Sequence, residues 1–154
     1  MSGFIATGTP TGSYPITNNG FWPDIDGIQM RASIRLDGTV SDARLEVAAV
    51  NALIQVNQEL SRVMAEHKAA GFNTLADVPA DQIAGKSQLV LLYLRAIYCT
   101  AASELFERYR SFDSSAEGNR NADEITPSID EYRRDARFAI RDLLGIGHST
   151  VELI

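Results

Sequence analysis

From residue 39 onward, apolar side chains recur every three or four positions. Leu45, Ala49, Ala52, Leu53, Val56, Leu60 and Val63 form the first run, with the spacing of one helix face. Thr39-Val40-Ser41-Asp42 ahead of it fits a capping box with a short acid. His67, Lys68 and Gly71 suit a helix end, with cations near the negative end of the dipole and glycine just beyond. The spacing predicts one helix over residues 39–70, about 45 Å long at ~1.5 Å per residue. A second run opens near Ser87, where Leu89, Leu92, Ala96, Cys99, Ala102, Phe106 and Tyr109 share a face. Leu91, Leu94, Ile97, Tyr98 and Leu105 make much of its other side apolar too, the mark of a central helix or one with neighbours on two sides. The third run is Ile129, Tyr132, Ala136, Ile140 and Leu143. Thr126-Pro127 signals its start, with proline at the first helical position. Ser128-Ile129-Asp130-Glu131 is an alternative capping box, and Gly145 ends the helix.

Between these runs, residues 72–85 read as a loop broken by Pro79 and Gly85, and residues 114–125 read as a polar surface loop or helical turn. Residues 1–38 hold six of the eleven glycines and three of the five prolines. Such a stretch buries little apolar surface against its backbone entropy. It nevertheless carries Phe4, Ile5, Tyr14, Phe21, Trp22 and Ile25, and a true linker has few aromatics. The expectation is an extended arm whose rings are received elsewhere, with Phe21 and Trp22 as its anchors. A short helix over residues 24–36 is possible, weakened by Gly27. After Gly145 and Gly147 the chain ends Thr150-Val151-Glu152-Leu153-Ile154, an alternating, strand-like pattern. The fold class is all-α: a small helical bundle of about three main helices (39–145), an N-terminal arm (1–38) and a C-terminal docking tail (146–154).

Composition narrows the function. The chain has 154 residues, enough for one domain, and a net charge of −6, which opposes a sequence-independent nucleic-acid binder. Only Lys68 and Lys86 are lysines; the other twelve basic residues are arginines, suited to fixed pairing with carboxylates and hence to subunit contacts. The single cysteine, Cys99, forms no intrachain disulfide and fits a reducing compartment. The apolar stretch 89–102 is interrupted by Arg95 and falls short of the ~20 residues of a membrane span. The start, MSGFIATGTPTG, has neither a positive beginning nor an apolar core and does not read as a signal peptide.

Candidate chemistry is sparse. Ala80-Asp-Gln-Ile-Ala-Gly85-Lys86-Ser87 is a relaxed match to a phosphate-binding loop with alanine for the first glycine. Such a loop needs a buried strand before it, and Pro79 and its neighbours do not supply one. The plainer reading is a glycine break with Ser87 as N-cap. His67 and His148 show no metal spacing. Cys99 reads as inert packing. No cofactor, metal site or catalytic constellation is expected, so the chain does not read as an enzyme.

Arg133, Arg137 and Arg141 form a ridge along the third helix, with Arg134 able to pair with Asp130 one turn back. Glu131, Asp135 and Asp142 lie on another side. A helix with a cationic line and an anionic line can lock against a copy of itself in a ring. It can equally be a solvated helix with local pairs worth roughly 0.3–0.5 kcal/mol each.

Four stretches carry a family resemblance: Arg35-Leu-Asp-Gly-Thr-Val-Ser-Asp-Ala-Arg-Leu45; Leu75-Ala-Asp-Val-Pro79; Ala102-Ser-Glu-Leu-Phe-Glu-Arg-Tyr-Arg110 with Phe112-Asp113; and Arg133-Arg-Asp-Ala-Arg-Phe-Ala-Ile-Arg-Asp-Leu143 with Thr150–Ile154. In this order, from about residue 21 to the end, they resemble the head completion proteins of contractile-tailed temperate phages, the GPL family. The resemblance implies a head-to-tail connector subunit in the virion neck, assembled in the host cytoplasm. It implies a homo-oligomeric ring, usually of twelve, beneath the portal protein. Tail terminator or other neck proteins would be further partners, and packaged DNA would pass through the channel without sequence-specific binding. It implies no membrane and no cofactor. The tail Thr150, Val151, Glu152, Leu153 and Ile154 would dock on the portal, and Arg133, Arg137, Arg141, Glu131 and Asp135 would face neighbouring subunits. The alternative is a small helical protein-binding or regulatory module acting as a monomer or dimer.

Overall fold

The computed structural model describes residues 14–34, 36, 40–112 and 116–147, with side chains placed at 14–34, 36, 40–108 and 129–147. The first described segment is built by short polar side chains. Strand β1 (Pro15–Ile16) pairs antiparallel with β2 (Ile25–Asp26), Ile16 opposite Ile25. The loop between them turns on Asn19, whose Oδ1 accepts from the N–H groups of Phe21 and Trp22, both at 3.2 Å. Asp26 then caps helix α1 (Gly27–Ser33), accepting from Ile28 and Gln29 N–H, as a short acid does at an N-terminus. Gly27 is required where it stands, because a β-carbon there would overlap the ring of Tyr14.

Helix α2 (Asp42–Glu59) is capped by Ser41, whose hydroxyl accepts from Arg44 N–H at 3.3 Å. Helix α3 (Ser61–Ala69) follows after a single residue, Leu60, at φ −95°, ψ 10°. The one helix expected over 39–70 is therefore two. The apolar period crosses the bend undisturbed, because Leu60 and Val63 are both buried and Leu60 still joins Val56 and Met64 through backbone bonds of 2.9 and 3.0 Å. Gly71, at φ +97°, ends α3 as expected.

The expected loop over 72–85 is more structured than its breakers suggest. A 3₁₀ turn (Leu75–Asp77) is boxed by Thr74 and Asp77, and Leu75 N–H donates to the Phe21 carbonyl at 2.9 Å. Strands β3 (Gln82–Ile83) and β4 (Lys86–Ser87) form a hairpin. Its two turn residues, Ala84 and Gly85, sit at φ 50° and 74°, the conformation that matches the strand twist.

Helices α4 (Gln88–Phe112) and α5 (Ala116–Leu143) form a helical hairpin, with Phe106 stacked on Tyr132 at 5.6 Å. Helix α5 starts eleven residues before Pro127, the expected first helical position, since the stretch 116–125 is helical. Pro127 thus lies inside the helix, where its missing N–H costs one backbone bond. Helix α4 packs on both α2 and α5, the central place its apolar surface predicts. Its stretch Gln88–Arg108 has the length and apolarity of a membrane span by composition alone, because the apolar run continues past Arg95. Here that surface is shared with α2 and α5, as in a core helix.

Among the described residues only four two-residue strands accompany the helices, and the all-α reading stands. One expectation about the arm changes. Residues 14–26 are non-helical, but their rings are received by this chain. Phe21 and Trp22 are each 2% exposed; Phe21 packs edge-on to Trp22 at 4.9 Å, and Trp22 stacks on Tyr93 of α4. They are core residues here, not anchors waiting for a partner, because Tyr93 of α4 receives the Trp22 ring and His67 of α3 stacks beside Phe21. Residues 1–13, and the tail from residue 148 with His148 and Thr150–Ile154, lie outside the described residues.

Candidate assembly surface

The near match to a phosphate loop folds as the β3–β4 hairpin. Lys86 is exposed on a strand, and Gln88 N–H, at the start of α4, already donates to the Asp81 carbonyl at 2.9 Å. Ser87, expected as an N-cap, is a buried strand residue. His67 occupies the last turn of α3 as expected, lying between the rings of Phe21 and Phe72, each 6.3 Å away. Cys99 is buried, and that burial pushes its thiol pKa up, with Asp135 nearby adding to the effect; a thiol in such a place is a poor nucleophile. Among the described residues no group of three or more histidines, cysteines and carboxylates converges to hold a metal ion.

The charged ridge of α5 divides into pairs made within the chain and groups left over. Arg133 donates to Glu107 of α4 at 2.7 Å and approaches Asp130 at 3.8 Å. Asp135 receives Arg95 of α4 at 3.2 Å and its own neighbour Arg134 at 3.3 Å. The expected Arg134–Asp130 pair is replaced by contacts to neighbours on the same helix, Arg134 to Asp135 and Asp130 to Arg133. Arg141 donates to the Gly147 carbonyl at 2.7 Å, holding the chain where it leaves α5. Arg137 and Glu131 are exposed and make no ion pair among the described residues. Six positions apart, they point about 120° away from one another around the helix. Arg137 also borders a groove of ≈540 Å³ between α2, α4 and α5, whose other wall carries Glu59, Glu104 and Glu107. The arrangement leaves one cation and one anion on different sides of a rigid helix, beside an acid-lined groove.

Sequence reasoning missed the ties that position this surface. Asn18 Nδ2 donates to the Tyr93 hydroxyl (2.8 Å), that hydroxyl donates to Asn57 Oδ1 (2.6 Å), and Asn57 Nδ2 donates to Asn18 Oδ1 (2.9 Å). The closed triangle fastens the N-terminal segment to α2 and α4. Burial drives the Tyr93 phenol well above its ordinary pKa. Nearby, Tyr14 donates to Glu46 Oε2 at 2.5 Å. That bond, with burial and the Glu46 charge behind it, raises the Tyr14 pKa to about 12. No local pattern announces residues 18, 57 and 93 as partners, because each is an ordinary polar residue until the fold joins them.

A sequence model of the family described as phage head completion protein (GPL) matches residues 16–154. The head completion/stabilization protein of Escherichia phage P2 is 42% identical over 144 residues, covering 93% of this chain and 85% of that protein. A probable head completion/stabilization protein of Haemophilus phage HP1 (strain HP1c1) is 28% identical over 141 residues, covering 90% of this chain and 91% of that protein. No solved structure matches.

Proposed function

The chain belongs to the phage head completion protein family (GPL), and from that premise we propose that it is a structural subunit of the virion neck, not an enzyme. Twelve copies form a ring beneath the portal, prolong the DNA channel, stabilise the filled head and present the tail-docking surface. The observation that carries this reading is the family match over residues 16–154, which takes in the bundle and the tail together. The net charge of −6 suits a channel wall past which DNA slides without being held. Tail terminator or other neck proteins complete the assembly, which forms in the host cytoplasm without membrane or cofactor.

Arg137 and Glu131 are the groups through which neighbouring subunits meet, while Arg133 and Asp135 are spent inside the chain. Residues 150–154 reach the portal as an added strand, released after Gly145 at φ +69°. The test is capture on a purified portal ring with residues 149–154 deleted. The truncated chain should keep its melting temperature and lose portal binding. A lowered melting temperature with binding retained would mean that the tail packs on its own bundle and that portal binding lies elsewhere.

A further inference from the structure

The outer face of α2 carries an apolar line that the bundle does not use. Ala43, Val47, Val50 and Ile54 follow at intervals of four, three and four, on the side opposite buried Leu45, Ala49 and Ala52. Val47 is 55% exposed, Val50 38% and Ile54 63%. Single exposed apolar residues are ordinary; three β-branched residues in one line on a helix are not. The polar positions beside them are uncharged as well. From 47 to 58 the exposed residues are Val47, Val50, Asn51, Ile54, Gln55 and Gln58. About 17 Å of helix surface thus presents no formal charge, in a chain where 22% of residues are charged. Depletion of charge around an apolar centre is the composition of a contact surface.

The charges at the two ends of the face decide what fits it. Arg44 stands at the N-terminal end and Glu59 at the C-terminal end; both are exposed and make no ion pair among the described residues. A nucleic acid finds no cation on the neutral stretch between them. A second copy, itself at −6, approaches best where like charges are kept apart, and this stretch keeps them apart. Laid antiparallel, with a two-fold axis passing between Val50 and Asn51, two α2 helices set Val47 of each copy opposite Ile54 of the other, and Val50 beside Val50. Arg44 then comes beside the last turn of the other helix, with its Gln58 and Glu59, while the two Arg44 residues stand about 20 Å apart along the axis. The helix dipoles favour the same direction, each positive end lying against a negative one. A parallel pair would place Arg44 against Arg44.

We propose that the free subunit pairs with a second copy through the Val47–Val50–Ile54 face, the two α2 helices antiparallel. A footprint of ~17 Å by ~10–12 Å is about 200 Å² per copy, a quarter of the ~800 Å² of a standard interface. The pair is therefore weak, with a Kd of roughly 0.1–1 mM. A cyclic ring has no two-fold axis between neighbours, so this contact belongs to the subunit before it joins one and opens when it does. Disulfide trapping without portal tests the pairing in a Cys99→Ala background, at concentrations near that Kd. Val50→Cys should form covalent dimers under mild oxidation at least tenfold faster than Ile83→Cys on the more exposed hairpin. Equal rates would overturn the proposal. Sedimentation tests the register without any cysteine. Val47→Glu and Ile54→Lys should each stay monomeric with unchanged helix content where wild type dimerises, and their equimolar mixture should regain the dimer, because the introduced carboxylate meets the introduced ammonium across the pair. A wild type that stays at the monomer mass, single variants that dimerise as wild type does, or a mixture that stays monomeric would each overturn it.

Discussion

The indole of Trp22 lies flat on the phenol ring of Tyr93, centroids 4.8 Å apart and planes within 3° of parallel. Seventy-one positions separate the two residues in the chain (93 − 22), and both are buried. The contact makes a glycine-rich leader part of the bundle core. Trp22→Ala should cost about 3–5 kcal/mol, as emptying a buried aromatic site does, measured by urea unfolding. Trp22 fluorescence should already be blue-shifted in the free subunit and stay so when a partner is added. A red-shifted spectrum in the free chain would contradict this packing.

The Tyr14–Glu46 bond sets a dependence on alkaline pH. The donating form is the neutral phenol, and its pKa is raised to about 12 from an ordinary value near 10. A raised folded pKa gives stability that is complete below the unfolded value and is lost as pH climbs through the folded one. Wild type should therefore exceed Tyr14→Phe in stability up to about pH 10, and the gap should close towards about pH 12. The difference between the two urea-unfolding curves isolates Tyr14 from Tyr93 and Tyr98, whose pKa values burial also raises. A gap that stays constant across that window would show that the bond does not contribute.

The three helical runs are legible because their burial is periodic. Leu45, Ala49, Ala52, Leu53, Val56, Leu60 and Val63 are all buried, as are Ala96, Cys99, Ala102, Ala136, Ile140 and Leu143. The bend at Leu60 was not legible, since the apolar period continues through it. The stretch 116–125 was legible only as a loop or a helical turn, since it has no apolar face to mark it as part of a long helix. Phe21 and Trp22 were misplaced because local composition around them is that of a leader, and the surface that receives them is distant in sequence. The arginine ridge was visible as a spacing. Its division into internal pairs and free groups depends on Glu107 and Arg95 of another helix, which no reading of α5 alone could supply.

The β3–β4 hairpin should be improvable at one position. Ala84 holds φ 50°, where an L residue with a β-carbon is strained and asparagine is tolerated. Ala84→Asn would create the Asn-Gly pair favoured in such turns and should stabilise the chain by about 0.5–1 kcal/mol. ATP should leave the melting temperature unchanged in both wild type and Lys86→Ala. A nucleotide-dependent rise in melting temperature that disappears in Lys86→Ala would contradict the hairpin reading.

The ridge predicts two different outcomes from one kind of substitution. Arg133→Glu breaks the partly exposed pair with Glu107 and should lower stability by about 1 kcal/mol or less. Arg137→Glu should leave stability and helix content unchanged and prevent ring formation on the portal at physiological salt. Circular dichroism and sedimentation of the two variants check both statements. Normal assembly of Arg137→Glu would reduce the ridge to a solvated surface.

Native mass spectrometry of the subunit mixed with purified portal rings addresses the connector role directly. The expected result is a single complex carrying one subunit per portal chain, twelve on a twelvefold portal, with no species left bound in ones or twos. A subunit that stays monomeric or dimeric beside an unoccupied portal ring would contradict the proposed role in the neck.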